Sequence, residues 1–120
     1  MLIVTLALAT APIPVATDAP APVAVPLSLE DRTLLRCSAA FAIVAHGQSN
    51  GDEGALAWPQ LGTRAREFFV RALAQLIDRT GLDRDGVAQL AKDEAIGLQE
   101  RGEVDQVMPA CLVMLESSGV

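Results

Sequence analysis

The sequence predicts an all-α fold: a compact bundle of about four helices tied by one disulfide and preceded by a signal-like, Pro/Ala-rich N-terminal segment. Three observations predict it. Beyond Leu27, apolar residues recur at spacings of three and four, with almost no two-residue alternation. Aromatic residues are few (Phe41, Phe68, Phe69 and Trp58, with no tyrosine), so the core must rest on Leu, Val, Ile, Met and Ala, which favours helices over a β-sandwich. The chain has only two cysteines, Cys37 and Cys111, and each falls on an apolar helical stripe. With 120 residues, 51% hydrophobic and 20% charged, it is globular and at most one domain.

Residues 1–16, "MLIVTLALATAPIPVA", form a signal-like apolar segment. The run has the length of a secretory h-region and is too short for a comfortable membrane span, with Pro12 and Pro14 interrupting it. No Lys or Arg precedes Arg32, and Pro12 directly follows the small residues Ala9-Thr10-Ala11, so the positive n-region and a clean cleavage site are both missing. Residues 17–27 continue as a Pro/Ala-rich linker, which favours extended polyproline-like conformations. The helical domain is expected at 28–120.

Four helices follow in order. Ser28 caps the first, with Asp31 three residues on as the partner of a capping box, and the helix runs to about Ala45. Leu34, Cys37, Ala40, Phe41 and Val44 share its buried stripe. The stretch "HGQSNGDEGALAWP" reads as a loop from its Gly, Asn and Ser content. Pro59 suits the first turn of the second helix, whose continuous apolar face is Leu61, Ala65, Phe68, Phe69, Ala72, Leu73, Leu76 and Ile77. Arg64, Arg66, Glu67 and Arg71 take its solvated side, and Gly81 stops it. Asp83 caps the third helix, Leu82 staples to Val87, and Gly102 ends it. The fourth buries Val104, Met108, Cys111, Leu112 and Leu115, with Pro109 kinking it or setting its first turn, and Gly119 stops it.

Both cysteines thus face the core, one in the first helix and one in the last. In a reducing cell they are two buried thiols. After export they pair with each other. Closing a loop of 74 residues stabilises a fold by about 4 kcal/mol on the chain-entropy model.

Net charge is −6, with a sequence pI near 4.6 and no basic stripe, which argues against nucleic-acid binding. Cys37 and His46 lie nine residues apart, so on one helix they face different ways and sit about 13 Å apart along the axis, which does not make a nucleophile pair. One histidine and two distant cysteines do not make a metal site. "GLDRDGVAQLAK" places Asp83, Asp85 and Gly86 as in a calcium loop, but Gly81 and Lys92 stand where the first ligand and the bidentate acid belong. Neither cysteine has the Cys-x-x-Cys context of a redox catalyst. No catalytic residue and no cofactor are expected. The polar loop carrying His46, Gln48, Asp52 and Glu53 is the candidate contact site.

The segments "LRCSAAFAIVA", "REFFVRALAQL" and "MPACLVML" together resemble a set of short secreted bacterial proteins with two cysteines, over about Leu34 to Leu115. That group brings no assigned activity. The plan of a small helical protein with one disulfide is also similar to the acid-stress periplasmic chaperones of the HdeA type, although the cysteines here are much further apart. The expectation is a periplasmic or secreted, non-enzymatic binding or envelope accessory module, monomer or homodimer, with an unidentified protein partner and no stable membrane insertion after processing. The alternatives are an HdeA-like stress chaperone or a thiol-based redox protein using Cys37 and Cys111.

Overall fold

In the computed structural model, residues 26–120 are described. The signal-like segment at 1–16 and all but the last two residues of the linker at 17–27 lie outside them. The described residues form five helices and no strand: α1 (Leu29–Ser49), α2 (Glu53–Leu56), α3 (Gly62–Thr80), α4 (Arg84–Glu100) and α5 (Val104–Ser117).

α1 is the hub, and each of the other four helices packs against it. Its sequence suggests one buried stripe, but Leu35, Ser38 and Ala39 are buried as well as Cys37, Ala40, Phe41 and Val44. A helix buried on several sides needs small residues where neighbours approach, and "CSAAFA" supplies them. Its N-terminus is capped as expected on one side only. Ser28 Oγ accepts from the Asp31 N–H at 3.1 Å. The Asp31 carboxylate does not reach back to complete the box; it accepts from Arg79 Nη1 at 2.8 Å, which joins the end of α3 to the start of α1. The bond to Asp31, and then that to Glu30, raises the Arg79 pKa above its already high ordinary value.

Arg79 beside Asp31 fixes α1 and α3 as antiparallel neighbours. Along their shared face Phe41 and Phe68 meet edge to face, with centroids 5.1 Å apart. α3 ends at Gly81, whose φ of 71° is left-handed and suits glycine. Asp83 Oδ1 then caps α4 by accepting from the Gly86 N–H at 2.7 Å. Leu82 packs into the cluster that holds Val87, as the staple requires.

The core has two parts. Leu35, Leu76, Val87 and Ala91 form the smaller one, among α1, the end of α3 and the start of α4. Leu98, near the end of α4, belongs to the larger one with Cys37, Phe41, Phe68, Met108, Cys111 and Leu115. α4 therefore starts beside α3 and crosses α1 toward α5. The beginning of α3 and the end of α1 are left without α4 over them.

Helix boundaries depart from expectation in the middle of the chain. α1 continues past Ala45 to Ser49, the predicted loop contains the single turn α2, and α3 begins at Gly62 with Pro59 outside it. The physical reason is Gln48, whose side-chain amide bonds four backbone groups of this connection. Pro109 lies inside α5 beyond its first turn.

Candidate functional site

Both cysteines are in one disulfide, Cys37–Cys111, with Cα atoms 5.1 Å apart. It joins the middle of α1 to the middle of α5. Cys37 is 1% exposed and Cys111 2%. A sulfur this enclosed offers no line of attack to an external thiolate, which thiol–disulfide exchange requires.

The polar loop residues separate. His46 is exposed on the last turn of α1, and its Nε2 lies 3.0 Å from Asn50 Nδ2. Asp52 Oδ1 caps α2 by accepting from the Gly54 N–H at 3.1 Å, and Glu53 is the exposed first residue of that turn. Gln48 instead turns inward and is buried. Its Nε2 donates to the carbonyls of Ala55 (3.1 Å), Trp58 (3.2 Å) and Pro59 (2.9 Å), while its Oε1 accepts from the Leu61 N–H at 3.1 Å. Two amide hydrogens serve three carbonyls, so one is shared. These bonds anchor the end of α2 and hold residues 57–61 in an irregular path, which delays α3 to Gly62. Trp58 leans outward and donates from Nε1 to Asp105 Oδ1 at 3.1 Å, tying the loop to α5.

Where α4 does not cover the pair α1 and α3, a groove of about 360 Å³ opens. Its α1 wall is a stripe of small residues, Ser38, Ala42, Ala45 and Ser49, with His46 at the rim. Its α3 wall is Gly62, Ala65, Arg66 and Phe69, and Gln60 closes one end. No acidic side chain lines it. Ser38 is among the lining residues, but its Oγ is enclosed in the protein and has no hydrogen-bond partner in the structure. Phe69, placed by periodicity on the core face, is half-buried here, and Val70 beside it is exposed.

The groove shares only His46 with the site expected from sequence. Ser38, Arg66 and Phe69 were assigned to no site by the sequence. The signal present was the 38–42–45–49 series of small residues, which runs along a different side of α1 from the Cys37 stripe. Among the described residues, no group of three His, Cys, Asp or Glu side chains converges to hold a metal. Comparison with protein-family models, characterised proteins and solved structures finds no match for this chain.

Proposed function

We propose that this chain is a non-enzymatic binding module of an oxidising, extracytoplasmic compartment, with Cys37–Cys111 as its staple and the α1–α3 groove as its contact site. The observation that carries the reading is the placement of the disulfide. Its sulfurs lie in the larger core between α1 and α5, while the open ground lies across α1 against α3. Chemistry at the cysteines and contact at the surface are thereby separated, which supports a structural use of the one and a recognition use of the other. A disulfide is stable in an oxidising compartment and rare in a reducing one. No helix among the described residues is long and apolar enough to cross a membrane.

The test is intact mass of the native gene product, fractionated by compartment and treated with an alkylating agent before and after denaturation. The expected result is a shortened chain outside the cytoplasm, two hydrogens lighter than the reduced form and unlabelled until reduced. A full-length cytosolic chain carrying two alkylatable thiols would overturn the reading and return Cys37 and Cys111 to candidacy as reactive groups.

A further inference from the structure

We infer that Asn50 is a site of spontaneous modification, at which the Gly51 backbone nitrogen attacks the Asn50 side-chain amide beside His46 and turns residue 50 into aspartate or isoaspartate. The inference is independent of the groove's role as a contact site but bears on it, since Ser49, the preceding residue, lines the groove.

The sequence supplies the reacting pair. Asn50 is the only asparagine of the chain, and a glycine follows it. A five-membered ring closes when the nitrogen of the next residue bonds the asparagine Cγ. A side chain on that next residue crowds the approach, and glycine has none.

The structure supplies access. Asn50 and Gly51 are both exposed, and Asn50 caps the C-terminus of α1, where helices fray. The Asn50 N–H is shared between the carbonyls of His46 (3.2 Å) and Gly47 (3.1 Å), and the Gly51 N–H reaches the Gln48 carbonyl at 3.3 Å. Nothing lies within 4 Å of where a Cβ on Gly51 would stand, so this turn has room to move. The Asn50 ψ of 4° holds the Gly51 nitrogen off the line to Cγ. The reaction therefore starts from an opened last turn, which long and exposed hydrogen bonds let form at small cost.

The structure also supplies a proton path. His46 Nε2 lies 3.0 Å from Asn50 Nδ2, the nitrogen that leaves. Rotation about the Asn50 ψ moves Gly51 and keeps that contact. The Gly51 nitrogen gives up its proton and bonds Asn50 Cγ. The Cγ–Nδ2 bond breaks, and Nδ2 departs as ammonia with one added proton, relayed by the imidazole beside it. Water then opens the succinimide ring at either carbonyl, giving aspartate or isoaspartate. Both products set a carboxylate at the negative end of the α1 dipole, next to the groove wall.

The experiment incubates the oxidised full chain in mildly alkaline buffer at physiological temperature, native and unfolded in guanidinium chloride. Peptide mass and isoaspartate-specific methylation follow residue 50. The expected result is both products at residue 50, with the native rate within about a hundredfold of the unfolded rate. His46→Ala should slow the native rate about tenfold and leave the unfolded rate unchanged. His46 is exposed, so this variant keeps the fold, and unchanged Trp58 emission verifies it. Gly51→Ala should slow the unfolded chain about tenfold, a comparison that does not need the variant to fold. A native rate below that range overturns the site. Aspartate without isoaspartate means direct hydrolysis and overturns the attack by Gly51. A native rate unchanged or raised by His46→Ala overturns the proton path.

Discussion

Gln48 uses both ends of one amide to fix four backbone groups of the connection between α1 and α3. Removing it strands those groups in a partly buried setting. Gln48→Ala should destabilise the fold by about 2–4 kcal/mol, since each buried group left unsatisfied costs about 1–3 kcal/mol and some of the four will find water. Gln48→Glu should be worse than Gln48→Ala, because it sets a carboxylate oxygen against three carbonyl oxygens. Urea unfolding followed by Trp58 emission measures both. A Glu variant as stable as wild type would show that the amide donors do not hold the loop. One residue earlier, Gly47 is needed for a different reason. A Cβ built on it would meet the Ala55 Cβ at 2.7 Å. Gly47→Ala gains about 1 kcal/mol of helix propensity and loses about 1–3 kcal/mol to overpacking, so a net loss is expected. Adding Ala55→Gly should return most of it; failure to do so would place the strain elsewhere.

Between elements, the contacts divide by type. Arginines hold α3 to its neighbours: Arg79 at its end reaches Asp31 at the start of α1, while Arg64 in its first turn and Arg71 at its middle reach Glu116 in the last turn of α5 and Ser118 and Val120 just past it. The Arg64–Glu116 pair is exposed on both sides and contributes little, so its use is to set register, whereas the Asp31 carboxylate is buried and would be left unpaired without Arg79. α1 and α5 are joined covalently. Replacing both Cys37 and Cys111 by Ala should destabilise the protein by about 4 kcal/mol, the loop-entropy value for a 74-residue closure. The shift in urea midpoint at constant slope measures it, and a change below about 1 kcal/mol would mean that packing alone holds α5 in place.

On the scale of the molecule, one central helix surrounded by the others has a consequence for redox behaviour. Cys37 becomes accessible only when α5 or its neighbours leave α1. Reduction of the native protein by dithiothreitol should therefore be slow and should accelerate steeply with urea below the unfolding midpoint, as exchange through an opened state does. A fast, urea-independent rate would mean that a local movement exposes the sulfurs, and would favour a thiol-exchange role. The same architecture explains the groove. α4 must serve both core clusters, so it crosses α1, and α1 and α3 are left uncovered at one end.

Much of the helical layout was legible because it is local. Ser28, Asp83 and Gly81 mark helix ends through bonds made within a few residues. The Cys37 and Cys111 stripes follow from helical period alone, and with export their pairing follows from there being no third cysteine. Tertiary contact decided the rest. The extension of α1 to Ser49, the turn α2 and the late start of α3 depend on Gln48 meeting carbonyls seven to eleven residues away. Asp31 left its capping box for an arginine 48 positions on, since a charged partner outcompetes a neutral N–H. Arg66 and Ser38 share a groove only because α4 diverges from α3. The period of a sequence tells which side of a helix is apolar, whereas which parts of that side remain uncovered depends on the angles at which distant helices cross.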